Sequence, residues 1–117
     1  MPTPRAGDVW DVRFDPVQGA EQGGTRPAIV VSSDGFHDAQ PYLCWVVPIT
    51  GTDRDIPYHI RLPARVGGLS KQSIALCDQA RSMSVQRLVM RRGTLPVDTL
   101  TEIRHMIARL IDATEEF

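Results

Sequence analysis

In Pro96-Val-Asp-Thr-Leu-Thr-Glu-Ile-Arg-His-Met-Ile-Ala-Arg-Leu-Ile111 the hydrophobic period of the chain changes. Val97, Leu100, Ile103, Ile107, Leu110 and Ile111 recur at helical spacing, with Asp98, Glu102, Arg104 and Arg109 mostly off that face. Pro96 suits a first turn, where a missing N–H is harmless, and Asp98 complements the positive end of a helix dipole. The stretch predicts an amphipathic helix of about five turns, packed on a sheet or at an interface.

Upstream the pattern is that of short strands. Residues 9–14 alternate, with Trp10, Val12 and Phe14 on one face. Residues 28–32 read as a buried strand led by Pro27, which fixes φ and lacks a ladder donor, and so suits a first strand position. Ser33-Asp34-Gly35 reads as a turn opening a short helical turn through His37. Residues 42–50 form an apolar run between Pro41 and Gly51, hence a central strand. Residues 58–62 alternate again, Gly67-Gly68 breaks the chain, and residues 73–77 and 87–91 read as further strands. Many short strands and one terminal helix predict a mainly β fold: a small, strongly bent antiparallel barrel with a C-terminal amphipathic helix. At 117 residues the chain suffices for one core, so residues 1–117 are read as a single domain.

Composition sets further bounds. The longest apolar runs, near residues 28–31 and 43–47, are far too short to span a bilayer. No apolar run follows Met1-Pro-Thr-Pro-Arg5, so no signal peptide is expected and the cytoplasm is the expected compartment. Cys44 and Cys77 each sit in an apolar stretch and read as buried free thiols rather than a disulfide framework.

The net charge of −1 conceals a basic middle. Residues 1–53 carry a net −4, residues 54–92 a net +6 and residues 93–117 a net −3. A basic centre is what a polyanion groove requires, although arginines scattered over several solvated faces give the same count. Among the 13 basic residues Lys71 is the single lysine, and arginine favours bidentate phosphate or base contacts.

Polar residues with chemical potential gather in a glycine-rich loop, Gln18-Gly-Ala-Glu-Gln-Gly-Gly-Thr-Arg26, before the strand at 28–32. Glycines there permit sharp turns and close ligand approach. The loop has neither the dinucleotide nor the P-loop glycine spacing, and no crossover helix follows it. His37, His59 and His105 are isolated and read as surface or packing residues; no cysteine or histidine pair has metal-ligand spacing, so neither a metal nor any other cofactor is expected. What remains is Glu21, Gln22, Thr25 and Arg26, then Thr50, then Asp78, Gln79 and Arg81. Such parts suit RNA cleavage, because RNA supplies its own 2′-hydroxyl nucleophile. Arg26 would stabilise charge on phosphate, Thr50 would be a second donor, and Glu21 would act as base or orient Arg26. A loop salt bridge between Glu21 and Arg26, and a strand-end hydrogen bond at Thr50, use the same residues without any function.

Gly7-Asp-Val-Trp10, Phe14-Asp-Pro16, Gly19-Ala-Glu-Gln22, Gly24-Thr-Arg-Pro27 and Val30-Val-Ser32 together resemble the MazF/PemK family of toxin endoribonucleases. Val47-Pro-Ile-Thr50, Leu69-Ser-Lys-Gln-Ser73, Cys77-Asp-Gln-Ala-Arg81 and the final helix continue the resemblance in the family's order over nearly the whole chain. It implies a homodimeric SH3-like barrel that cleaves single-stranded RNA, often mRNA, at short sequences without a metal, and that a cognate antitoxin holds inactive. It places the catalytic arginine on Arg26, the catalytic hydroxyl on Thr50 and an acid essential in some members on Glu21. Gln22 and Thr25 beside them, and Asp78, Gln79 and Arg81, become RNA-binding candidates, Asp78 matching a base in other members. Ala20 stands where some relatives have a histidine, and Leu76 where some have a second arginine, which favours Arg26 with Thr50 over a mechanism centred on Asp78. The polar loop at residues 52–57 is read as a gate to the groove. Phe36, Tyr42 and Tyr58 are the aromatics near plausible RNA surfaces. The competing expectations are a CcdB-like toxin that poisons a protein such as DNA gyrase, and a catalytically silent binding module.

Overall fold

Strand β3 (Leu43–Thr50) is apolar on both faces, and the molecule is built around it. The structure is a computed structural model that describes residues 2–14 and 24–112. The other strands are β1 (Asp8–Arg13), β2 (Thr25–Val30), β4 (His59–Leu62), β5 (Ser73–Leu76), β6 (Arg81–Ser84) and β7 (Leu88–Thr94). They form one antiparallel sheet in the order β4-β5-β3-β2-β1-β7, with β6 also paired to β3. Helix α1 (Asp34–Ala39) links β2 to β3, and α2 (Val97–Ile111) ends the described chain. The sheet bends strongly but is not closed: no ladder joins β4 to β7 among the described residues.

Period-two alternation along β3 sorts the interior into two cores. Cys44 and Val46 pack with Val12, Phe14, Ala28, Val30, Met83, Val85 and Leu88. Val47 and Ile49 pack with Val9, Ile29, Ile60, Leu62, Leu100 and Ile103. β1 serves both clusters by the same alternation, Val9 facing one and Trp10, Val12 and Phe14 the other, while register shifts at Val9/Trp10 and Asp11/Val12 interrupt its ladder with β7. Trp10, Val12 and Phe14 do share one cluster, as their spacing predicted.

Several expected boundaries move. β2 begins at Thr25, so Pro27 is its third residue rather than its first. Proline is tolerated there because the β2–β3 ladder starts only at Ala28. β6 was not expected at all; Arg-Ser-Met-Ser carries no hydrophobic alternation, and only pairing with Leu43–Val46 makes it a strand. α2 spans 15 residues, about four turns rather than five. Its ends are not core either: Val97 and Ile111 are each 80% exposed, while Leu100 and Ile103 are buried.

Polar contacts seat the two helices. Arg104 on α2 donates from Nε to the Val31 carbonyl (2.9 Å) and from Nη2 to the Ser32 carbonyl (3.4 Å). Asp34 at the start of α1 accepts from the Ala6 amide (2.8 Å) and pairs with Arg5 (3.1 Å). The Ala6 amide is the main reason its carboxyl titrates below the usual range, with Arg5 contributing. Buried Ser32 accepts from the Trp45 amide and lies 2.6 Å from Nε2 of buried His37, so His37 is the packing residue its isolation suggested.

Glycines decide how the sheet curls. The 3-10 turn Val66–Gly68 lies on β7. A Cβ on Gly68 (φ +77°) would come 2.2 Å from the Arg92 carbonyl oxygen, and one on Gly93 would come 2.7 Å from the Gly67 carbonyl carbon. Backbone therefore rests on backbone at this crossing. The connection after β3 has its own constraint. β3 and β4 are both antiparallel to β5, hence parallel to each other, so residues 51–58 must run back across β5.

Gly68→Ala should lose about 3 kcal/mol or more, from overpacking against backbone combined with a left-handed φ, in urea denaturation. Gly35→Ala in α1, whose new Cβ meets nothing nearer than 3.9 Å, should stay within about 1 kcal/mol of the parent. In the same assay Ile103→Ala should cost about 2–5 kcal/mol, and Val97→Ala should be close to neutral.

Candidate active site

The β2–β3 register pairs Ala28 with Pro48. Continued two residues past the end of that ladder, it sets Arg26 opposite Thr50, on the same face of neighbouring strands. Both side chains line one pocket of about 240 Å³, together with Gly51, Lys71, Ser73 and Arg92. The pocket forms where the ladder stops, so Arg26 is exposed while Thr50 retains only 9% exposure. Thr50 Oγ1 accepts from the Thr52 amide (3.3 Å), an arrangement that leaves its own O–H proton to donate.

Lys71 and Arg92 are additions that the sequence reading missed. A Cβ on Gly51 would lie 3.1 Å from both Cε and Nζ of Lys71, so the ammonium rests against the residue following Thr50. Arg92 is brought in by the glycine crossing and is also paired with Asp11 (3.2 Å). Lys71 had a visible signal, as the single lysine within Leu69-Ser-Lys-Gln-Ser73. Arg92 had none, because only the curl of the sheet carries β7 to this spot. Three cations thus line the pocket with the hydroxyl residues Thr50, Ser70 and Ser73, which suits an anionic ligand with several oxygens.

The other expected residues are distributed elsewhere. Thr25 is exposed at the start of β2, opposite Arg13, next to Arg26 in sequence but outside the pocket lining. Asp78 and Gln79 lie in the 3-10 turn Cys77–Gln79, and Arg81 begins β6 opposite Val46. Asp78 borders a larger apolar groove of about 640 Å³, lined also by Val31, Trp45, Cys77, Ile107 and Leu110. Glu21 and Gln22 lie outside the described residues. Among the expected aromatics, Tyr42 is well exposed and Tyr58 packs edge-on against His59.

His59 departs from the expectation of an isolated packing residue. Its side chain is buried, as packing requires, but Nε2 lies 3.2 Å from Asp78 Oδ1. The two are 19 residues apart, and only the pairing of His59 with Leu76 on β5 brings the following turn within reach.

The loop after Thr50 is pinned. Arg61 on β4 donates from Nε to Asp53 (2.7 Å) and from Nη2 to Asp55 (3.0 Å). The bond from Arg61 holds the Asp53 carboxyl below the usual range, and the same contacts raise the Arg61 guanidinium above its own. Asp55 adopts a left-handed φ of +53° to make its contact. Arg61 and Ile74 are cross-strand partners and share a face, so these bonds hold the loop over that face of β5. Ile74 and Leu76 are buried there although neither belongs to the two core clusters.

No group of three metal-binding side chains occurs among the described residues. No helix among them is long and apolar enough to cross a membrane. Both cysteines are free and buried.

Comparison with known proteins gives a consistent result. The family described as PemK-like, MazF-like toxin of type II toxin-antitoxin system matches residues 5–111. The crystal structure of MazF from Deinococcus radiodurans is similar, with 30% identity, a TM-score of 0.82 and coverage of 95% of this chain and 98% of that one. MazF in the MazE–MazF complex from Deinococcus radiodurans has 29% identity and a TM-score of 0.73 over 95% and 97% of the two chains. An endoribonuclease in complex with its cognate antitoxin from a mycobacterial species shares the fold, with a TM-score of 0.75 at 18% identity over 93% and 95%.

Burial pushes the Cys77 thiol up to about 12, with the charges of Asp78 and Glu102 adding to the effect, and burial alone pushes Cys44 up to about 11. A raised thiol pKa means almost no thiolate at pH 8. Both cysteines should therefore resist Ellman's reagent at that pH in the folded protein and react fully in denaturant.

Proposed function

The chain belongs to the PemK-like, MazF-like toxins of type II toxin-antitoxin systems, and from that membership together with its cation-lined pocket we infer that it is a sequence-selective endoribonuclease acting on single-stranded RNA, mRNA above all. The observation that carries this reading is the convergence of Arg26 and Thr50 in one pocket with Lys71 and Arg92.

In this mechanism the 2′-hydroxyl oxygen attacks the adjacent phosphorus. The P–O5′ bond breaks, leaving a 2′,3′-cyclic phosphate and a 5′-oxygen that takes its proton from solvent. Arg26 stabilises the phosphorane through its planar donors, and the Thr50 hydroxyl fixes a non-bridging oxygen. Lys71 adds positive charge beside Thr50. Glu21 receives the 2′-hydroxyl proton; the engagement of Asp78 with His59 supports Glu21 over Asp78 in that role. No metal takes part. Gln22 and Thr25 extend the contact along the strand, while Asp78, Gln79 and Arg81 bind RNA away from the scissile bond.

The protein works in the cytoplasm as a single-domain homodimer. A cognate antitoxin blocks the RNA groove. The antitoxin complexes of the similar Deinococcus chain support that partner.

Purified protein with a labelled single-stranded RNA should cut in excess EDTA, and Arg26→Ala should lower kcat by about 10²–10³-fold. A cyclic-phosphate 3′ end on the product is expected. Dependence on added Mg²⁺ would exclude the metal-free mechanism, and an Arg26→Ala variant as active as the parent would exclude this pocket.

A further inference from the structure

Thr50 and Arg61 flank the same residue of β5. Thr50 pairs with Ile74 from one side and Arg61 pairs with Ile74 from the other. Directly opposed residues of antiparallel strands share a face, so both side chains leave the sheet on the same side. Two strand spacings put their backbones about 10 Å apart. A strand of RNA held at Thr50 and running across β5 toward β4 therefore meets Arg61 next.

Arg61 is already occupied. Asp53 and Asp55 accept from two separate guanidinium nitrogens, Nε and Nη2, much as phosphate oxygens would. Both acids sit on the connection that leaves Thr50, so the chain places its own anions where the substrate's would lie. The arrangement is weak by construction: the Arg61 side chain is 55% and the Asp55 side chain 94% exposed, and solvent screens such pairs. Asp55 keeps its contact in a left-handed conformation, uncommon among non-glycine residues although aspartate tolerates it better than most.

We propose that Arg61 is a phosphate-binding residue one step beyond the cleavage pocket, and that Asp53 and Asp55 are intramolecular competitors which RNA must displace. The proposal rests on the reading of the Arg26–Thr50 pocket as an RNA site. Exchange of carboxylate for phosphate at Arg61 frees the loop at residues 52–57 from β4. That gives the loop the gating role its composition suggested, with a defined latch. Affinity is thereby reduced for short or weakly charged strands, while RNA long enough to reach Arg61 recovers it.

The test measures binding of a fluorescent single-stranded RNA as a function of salt, in an Arg26→Ala background to prevent cutting, and cleavage by the otherwise unaltered protein. Arg61→Gln should weaken binding several-fold at low salt and reduce the slope of log K against log salt by about 0.7, the loss of one phosphate contact. Arg61→Lys should restore that slope. The double variant Asp53→Asn with Asp55→Asn should tighten binding several-fold, and adding Arg61→Gln to it should abolish the gain. Cleavage should show the Arg61→Gln effect in KM with kcat at saturation unchanged. A salt slope untouched by Arg61→Gln, or weaker binding by the Asp53/Asp55 double variant, would overturn the proposal. RNA cleavage by the parent with an Arg61-independent KM would leave the nuclease reading standing and refute the latch. Arg61-dependent RNA binding by a parent that never cuts would do the reverse.

Discussion

Backbone resting on backbone at Gly67, Gly68 and Gly93 is the constraint on which the rest of the molecule depends. Among the described residues no ladder draws the β4–β5 end of the sheet toward β7. The approach is made by a turn with no side chain to interpose, and it is closer than any Cβ would permit. That crossing carries Leu69, Ser70, Lys71 and Ser73 toward the end of β2, and it carries Arg92 there from the opposite edge. The pocket is therefore a by-product of how tightly the sheet curls. A looser curl would leave Arg26 and Thr50 side by side on β2 and β3 and remove the cations around them.

The position of the pocket follows from strand ends. Where a ladder is intact, alternation commits one face to each core and little polar surface remains. At the end of β2–β3 the ladder stops before Arg26 and Thr50, so an arginine and a threonine stand together without interrupting either core. The loop after Thr50 inherits the same logic. It must cross β5 to reach a parallel strand, and the polar residues that cross are tied down by charge, through Arg61, with little packing to help.

The features legible in the sequence are those set by local pattern. Alternation located β1 and β4, a continuous apolar run located β3, helical spacing located α2, and the apolar settings of Cys44 and Cys77 announced buried thiols. The strand-end positions of Arg26 and Thr50 were legible too, because each sits in a short motif at the edge of an apolar run. Whatever depends on distant pairing was hidden. β6 has no pattern of its own and exists through β3. The exposure of Val97 and Ile111 reflects how far the sheet beneath α2 extends, which helical period does not encode. His59 with Asp78, Arg61 with Asp53 and Asp55, and Arg92 at the pocket all arise from strand order rather than from neighbourhood in the chain. Glu21 and Gln22, read from the glycine-rich loop, lie outside the described residues.

The two bonds from Arg104 to the carbonyls of Val31 and Ser32 decide where the orientation of the terminal helix comes from. They fasten the middle of α2 to the turn between β2 and α1 within a single chain. A helix that waited for a neighbouring molecule to orient it would make folding depend on concentration. Here both bonds lie within one chain, so the angle at which the helix crosses the sheet is set by that chain's own contacts.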